Sequence, residues 1–303
     1  MAGIVFVGVD TRASLIHRAL PLWEPLLGVR CELRGIDVAP GSADGAYLEL
    51  VQRLRDDRGL AGAVVTTHKL RLFDAARPCF EWLDPLAVEC EEVNAIRRLS
   101  DGSLHGWARD PLSVGRVVDR IWPRASGDVV CLGAGGTAVA LAHNLRGRSP
   151  DLRLAFADPD SRALRRVRRI AGGEVEVHLG SGPWDGLVAG AAPGSLIVNA
   201  TGLGKDRPGS PATEAVRFPE GSVVWELNYR GELRFLEAAH RQSAARSLAV
   251  HDGWSLFCHG WAAGLSAVLG LEDGTGLGER FAAAAAGVRP GASRLPAPSG
   301  RSG

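Results

Sequence analysis

Lysine is almost missing from this chain. Of its 35 Lys and Arg residues, only Lys69 and Lys205 are lysines. Arginine serves wherever a solvated positive charge is enough, and it keeps its proton near neutral pH. A lysine gives its proton up once burial or a neighbouring charge lowers its pKa. Lys69, in Val65-Thr66-Thr67-His68-Lys69, is therefore a candidate for proton transfer, with an exposed helix-start lysine as the plain structural alternative. Cysteine is sparse as well. Cys31, Cys79, Cys90, Cys131 and Cys258 stand far apart with no CxxC pair, which argues against a disulfide framework and a zinc site and fits a reducing compartment. No apolar run approaches ~18 residues, so no membrane span is expected. The first residues carry neither a basic stretch nor a long apolar one, so no signal peptide is expected and a cytoplasmic location follows. Charge of one sign is lacking too: the formal net charge is +1, which gives no footprint for nucleic acid or a membrane surface.

What is present is a long alternation of strand and helix patterns. At 303 residues the chain has room for two domains. In the first ~110 residues, 3–9, 32–38 and 62–65 read as strands, 14–27 and 43–58 as helices, and 93–99 with 104–107 as a hairpin turning at Asp101-Gly102. From about residue 112 the alternation becomes regular. Strands are expected at 128–132, 152–157, 174–179, 195–200 and 222–227, with a sixth at 247–250 and helices between several of them. Near-continuous apolar strands joined by helices predict a parallel sheet covered on both faces. Two more helices are expected over 253–269 and 278–287, and the Pro, Gly, Ser and Arg residues after about 288 read as a disordered tail.

Val129-Val130-Cys131-Leu132-Gly133-Ala134-Gly135-Gly136-Thr137-Ala138 is a strand, a glycine turn and a helix start. Glycines let the backbone approach a pyrophosphate, and the helix start supplies free N–H groups. The next apolar strand ends at Asp158, where a carboxylate binds the adenosine ribose 2′-hydroxyl. The segment therefore predicts a dinucleotide site. A structural glycine turn in another α/β fold is the alternative. Asp158, joined by Asp160, favours NAD because a carboxylate repels a 2′-phosphate. Arg162, Arg165 and Arg166 lie close by and keep NADP as the alternative. Asn199-Ala200-Thr201-Gly202-Leu203-Gly204 follows the fourth strand of this region, at the sheet edge where the nicotinamide end is expected. Lys205, just beyond, reads as exposed rather than catalytic.

Taken in order, these pieces resemble the shikimate/quinate dehydrogenase family, from about Val7 to Leu269. The family's Pro-His-Lys is matched by Thr67-His68-Lys69, and its Ala-Val-Asn-Thr by Glu92-Val93-Asn94-Ala95. Its Gly-Tyr-Asn-Thr-Asp-Gly is matched by Gly106-Trp107-Ala108-Arg109-Asp110-Pro111, and its Asn-Ala-Thr-Pro-Leu-Gly by the segment from Asn199 to Gly204. Trp225-Glu226-Leu227-Asn228-Tyr229 is similar to its Tyr-Asp-Leu-x-Tyr strand. The resemblance implies an α/β fold of two domains: a Rossmann-type doubly wound parallel sheet over 112–250, and a smaller α/β substrate domain from 1–111 with 251–290, followed by a disordered 291–303. It implies an NAD(P)-dependent alcohol dehydrogenase, with NAD expected and NADP as the alternative, acting on a small cyclic hydroxylated substrate. Lys69 and Asp110 would be the catalytic pair, and Asn94 would bind the substrate hydroxyls. Gly133, Ala134, Gly135, Gly136, Thr137, Asp158, Asn199, Ala200 and Thr201 would hold the cofactor. No metal is implied, and a homodimer is implied at the level of the family alone. Helix N-capping is the alternative role for Asp110, and a local hairpin contact that for Asn94.

The departures from the family pattern cluster where substrate would bind. The family's early Ser-x-Ser appears as Thr11-Arg12-Ala13, so one hydroxyl remains. Its Asn-Val-Thr ahead of the lysine becomes Ala63-Val64-Val65, and the glutamine of its last helix aligns with His259. Thr11, Tyr229 and His259 are the remaining substrate-side candidates, with Arg12 as a further contact. The changes predict a divergent member acting on a different cyclic alcohol or ketone. A non-catalytic dinucleotide-binding protein, and a methylene-tetrahydrofolate-dehydrogenase-like or imine-reducing enzyme of similar build, are the competing readings.

Overall fold

The computed structural model describes residues 1–146, 152–205, 207–272, 274 and 276–291. They build two six-stranded sheets, the expected α/β class. The first sheet takes its strands from β1 (Ala2–Gly8), β2 (Cys31–Asp37), β3 (Leu60–Val65), β4 (Trp82–Leu83), β5 (Ala95–Arg98) and β6 (Leu104–Trp107), in the order β2-β1-β3-β5-β6-β4. Between and after them run α1 (Ile16–Leu27), α2 (Asp44–Asp56), α3 (Lys69–Ala76), α4 (Pro85–Cys90) and α5 (Asp110–Ile121). β5 is the only strand of this sheet that is antiparallel to both of its neighbours, β3 and β6. That reversal matters for the site. Val64 faces Ala95, and Ala95 faces Trp107, so the end of β3, the start of β5 and the end of β6 share one edge. Lys69, Asn94 and Asp110 all leave from that edge, although the chain spaces them widely.

The second sheet holds β7 (Val129–Leu132), β8 (Leu154–Asp158), β9 (Val175–Leu179), β10 (Leu196–Asn199), β11 (Val223–Glu226) and β12 (Ala249–His251). Its order is β12-β11-β10-β7-β8-β9, and every pair is parallel. This is the doubly wound Rossmann arrangement, with the strand order reversing between β7 and β10. α6 (Gly136–Leu145), α7 (Ser161–Ala171), α8 (Asp185–Ala189) and α9 (Arg234–Gln242) connect the strands. Their apolar stripes, such as Leu164, Val167 and Ile170 of α7, bury against the sheet while the arginines of α7 face outward.

The chain then returns to the first sheet. α10 (Trp254–Leu269) and α11 (Leu277–Ala284) pack with α1 and the β1 face in one apolar cluster, where Trp23 stacks on Phe281 at 4.4 Å and Phe6 meets Trp261 edge-on at 5.2 Å. Among the described residues no helix is long and apolar enough to cross a membrane. Past α11 the structure differs from the expected end of order at about 288: 286–288 form a 3-10 turn, and Arg289 pairs with Asp252 at 2.5 Å. Of the tail expected over 291–303, all but Gly291 lies outside the described residues.

Candidate active site

β3 ends at Val65, and α3 begins at Lys69, four residues on. The lysine is buried, 6% exposed, with its ammonium held between two carboxylates. On the open side Nζ donates to Asp110 Oδ2. On the closed side lies Glu92 Oε2, 3.5 Å away. Burial pushes the Lys69 pKa down, and Glu92 opposes that fall. His68, also buried, meets the Tyr47 hydroxyl at 3.0 Å and so fixes the start of α3 from behind.

Asn94 orders the pair. Its Nδ2 donates to Asp110 Oδ1, and its Oδ1 accepts from the Arg109 backbone N–H at 2.8 Å. Arg109 in turn pairs with Asp84, whose carboxylate caps α4 by accepting from the Ala87 N–H at 2.7 Å. Asp110 itself is the first residue of α5 rather than its cap, and Pro111 follows it inside the first turn. A carboxylate at that helix start is favoured by the free N–H groups there.

The glycine turn lies directly across from this group. Gly133 has φ 108°, and a Cβ on it would stand 2.6 Å from the Ala200 carbonyl, so β7 and β10 approach there as closely as glycine allows. A Cβ on Gly136 would overlap Lys69 Cε. The proton-transfer candidate and the start of α6 therefore touch. Gly135 caps α6 without a side chain, and a Cβ there would meet nothing within 4 Å. The amides of that first turn thus open onto free space. Asp158 accepts from the Ala134 N–H at 2.7 Å and from the Asp160 N–H at 2.8 Å, which ties the glycine turn to the end of β8. An uncapped helix start, a glycine turn without side chains and a carboxylate at the next strand end fit the pyrophosphate and adenosine ribose of a dinucleotide.

One cleft of about 410 Å³ joins these parts. Lys69, Asn94, Asp110, Gly135, Gly136, Thr137, Ala200, Thr201 and Tyr229 of the expected set line it. A neighbouring hollow shares Gly135 and Gly136 and runs on past Ala134 to Asp158 and the arginines of α7. Arg166 is held there by Asp74 and Glu91, and Arg169 by Glu91.

Of the substrate-side and loop residues expected at the site, Thr11, His259 and Asn199 border neither the cleft nor the neighbouring hollow. Thr11 is buried beneath β2, where its Oγ1 fills the space a Cβ on Gly35 would need. His259 points to the far side of α10, packed on Gly278 and 3.3 Å from Glu279. The cleft-facing stripe of α10 is Phe257, Gly260, Trp261 and Gly264, and one position on a helix is a turn of about 100°. Asn199 is likewise buried. It donates to Glu226 Oε2 at 2.6 Å and accepts from the Thr201 hydroxyl at 2.7 Å, so it shapes the loop rather than facing a ligand. Arg12 is exposed. Conversely, Lys205 lines the cleft, against the expectation of an exposed surface residue. Both lysines of the chain therefore border one cavity.

Comparisons with known proteins bear on the family and the fold. No family model matches the chain. It is similar to the shikimate dehydrogenase (NADP(+)) of Brucella canis, 30% identical over 260 residues that cover 82% of this chain and 81% of that one. The chain belongs to the shikimate dehydrogenase family. The shikimate dehydrogenase (NADP(+)) of Methylocella silvestris is 27% identical over 256 residues, 82% of each chain. Among solved structures, the fold matches shikimate dehydrogenase from Thermus thermophilus in complex with NADP(H) and shikimate, with a TM-score of 0.68 at 23% identity over 94% of this chain and all of that one. It also matches quinate dehydrogenase from Corynebacterium glutamicum in complex with NAD, with a TM-score of 0.67 at 20% identity over 93% of this chain and 99% of that one. The family and fold expected from the motifs are thus borne out.

Two residues of the site carry no distinct signal in the sequence. Glu92 reads there only as part of the Asn94 stretch, and Glu226 only as part of a strand. Glu226 is fully buried and holds two loops of the site, accepting from Asn199 and, at 2.9 Å, from the Asn228 N–H. Burial pushes its carboxyl up from 4.5 to about 7. A folded-state value above the unfolded one gives stability that is full below about 4.5 and lost as pH rises through about 7. The melting temperature is therefore expected to fall across that window, a loss on the order of 3 kcal/mol from this group. Glu226→Gln should remove that part of the fall in a series of melting curves. A variant whose melting temperature tracks the wild type from about pH 5 to 8 would rule the assignment out.

Proposed function

We propose that this protein is an NAD(P)-dependent dehydrogenase that interconverts a secondary alcohol and a ketone on a small cyclic hydroxylated compound. One observation carries the reading: the Lys69–Asp110 pair faces the glycine turn across a single cleft, with Lys69 Cε against Gly136. A nicotinamide dinucleotide, when bound on that turn, supplies or accepts the hydride. The chain's own residues handle the proton. In ketone reduction the Lys69 ammonium gives a proton to the carbonyl oxygen, and in alcohol oxidation the free amine takes it from the hydroxyl. Asp110 orients the ammonium, Asn94 fixes Asp110 and offers its amide to a neighbouring hydroxyl, and the burial of Lys69 strengthens its ion pair.

The lining supports a substrate with fewer polar groups than shikimate. Val65 stands in the cleft where the family carries threonine, and Val64, Phe257, Trp261 and Tyr229 line the same cavity. Thr11 contributes no hydroxyl. Losing such partners weakens binding of a fully hydroxylated ring acid by about 1–3 kcal/mol each. A reduction and oxidation screen with shikimate, quinate, aminoshikimate, dehydroshikimate and simple cyclitols tests this. Turnover of a less oxygenated or amino-substituted ring ahead of shikimate is the expected result, and equal, efficient turnover of shikimate would refute the pocket argument.

Cofactor choice follows from the adenosine end. Asp158 repels a 2′-phosphate, and of the three arginines that could hold one, Arg166 is engaged by Asp74 and Glu91, while Arg162 and Arg165 line the hollow. Higher kcat/KM with NADH than with NADPH is therefore expected, although the Brucella canis and Methylocella silvestris relatives are named for NADP(+). Faster reduction with NADPH would overturn the Asp158 argument. We further propose the division into a nucleotide domain over 112–250 and a substrate domain over 1–111 with 251–290, working as a homodimer as the family implies. Light scattering of the purified protein tests the dimer.

A further inference from the structure

The mechanism above uses the open side of Lys69. The closed side holds Glu92, which is 0% exposed and whose two carboxylate oxygens have no hydrogen-bond partner among the described residues. An ionisable side chain buried so completely is costly unless a charge nearby compensates it. Lys69 Nζ, 3.5 Å from Oε2, is that charge. The position is also unusual within the family pattern, where an alanine stands ahead of Val-Asn. An alanine there would leave the lysine with Asp110 alone.

We propose that Glu92 is a positioning residue for proton transfer: its buried carboxylate holds Lys69 as an ammonium ion, poised to donate to a substrate carbonyl. The proposal rests on the role given to Lys69 above. Lys69 then lies between a carboxylate that meets substrate and one that never does. Asp110 is 22% exposed and lines the cleft that a ligand would fill, whereas Glu92 is sealed away from it. A fixed buried charge therefore sets the baseline proton affinity of the lysine. The effect is electrostatic and needs no proton path to Glu92. In the reducing direction the ammonium donates its proton to the carbonyl oxygen and regains one from solvent, so protons balance without Glu92 exchanging any.

Other groups face the pair. Asp84 and His143 act on Glu92 with opposite signs, Cys90 acts on both members, and Arg109 is engaged by Asp84. Burial works against either charge, pushing Glu92 up and Lys69 down, and each partner opposes the shift of the other. Of these neighbours, His143 is paired with Glu89 at 2.8 Å and Asp84 with Arg109. Changing Glu92 alone thus isolates its charge.

The near absence of lysine makes a direct test simple. Uniform labelling at lysine 13Cε gives two signals, and Lys205→Arg assigns them. The Lys69 signal is titrated in the ligand-free protein, with no need for activity. In Glu92→Gln the midpoint is expected to fall by about one pH unit or more relative to wild type, the effect of removing an opposite charge within 4–6 Å. Glu92→Ala, which restores the family residue, should move it the same way, so a folding failure of either variant leaves the other to decide. An unchanged midpoint in a folded variant would show that Glu92 is neutral filler and would end the proposal. The pH at which carbonyl reduction is half lost should fall in step with the signal. Should the signal move while the activity limb stays, the charge assignment stands and the reading of Lys69 as proton donor fails.

Discussion

Replacing Lys69 by alanine should cut turnover by about 10²–10⁴, the range for one positioned proton-transfer group. Dinucleotide affinity should change little. The lysine meets the glycine turn with the end of its side chain at Gly136, and the amides of α6 stay in place without it. The variant should also fold. Removing the ammonium strands Glu92, but a buried carboxyl whose pKa already lies high can take up a proton and become neutral. Steady-state rates together with a fluorescence titration of cofactor binding separate the two effects. Activity within tenfold of wild type would remove Lys69 from the mechanism, and a parallel loss of cofactor binding would make it a structural residue of the turn.

Gly136→Ala is expected to separate stability from activity in the opposite sense. Gly136 opens α6 without a positive φ, so alanine suits the backbone there and favours the helix by up to about 1 kcal/mol. The new Cβ, however, takes the space of Lys69 Cε. The side chain must swing aside, carrying Nζ off Asp110. A displacement of about 1 Å at a reacting group costs on the order of 10² in rate. The melting temperature should hold or rise while kcat falls by that factor. A fall in both would mean that the turn itself had collapsed, and an unaltered kcat would mean that Lys69 has slack the structure does not show. Gly133→Ala makes the contrast, since its φ of 108° and its contact with the Ala200 backbone leave no room to adjust.

Much of this site is legible in the sequence because its parts are local signals. Gly133 to Thr137 follow a buried strand and start a helix, and Asp158 closes the next strand, so the dinucleotide cradle can be read from one continuous segment. The strand and helix patterns place the second sheet nearly to the residue, as apolar strands buried on both faces leave little doubt about their limits. Thr11, His259 and Asn199 differ from expectation for another reason. Each is assigned from alignment of a short motif, and motif position says nothing of side-chain direction. On α10 a shift of two places from Phe257 to His259 is enough to turn a side chain from the cleft to α11. Lys205 is undervalued because polarity in a glycine-rich loop reads the same whether the loop faces solvent or a cavity.

Glu92 shows the limit most clearly. In Glu91-Glu92 the two acids are indistinguishable by sequence, yet Glu91 pairs with Arg166 and Arg169 near the surface while Glu92 is sealed behind Lys69. The sequence by itself determined the class of fold, the glycine turn and the rarity of lysine, since these rest on periodicity, glycine and composition. Only the tertiary structure decided which charges meet. The antiparallel β5 brings residues 69, 94 and 110 to one sheet edge, and burial then turns an ordinary carboxylate into a fixed partner for the ammonium. Long-range pairing and desolvation depend on the whole packed chain, and no local pattern encodes them.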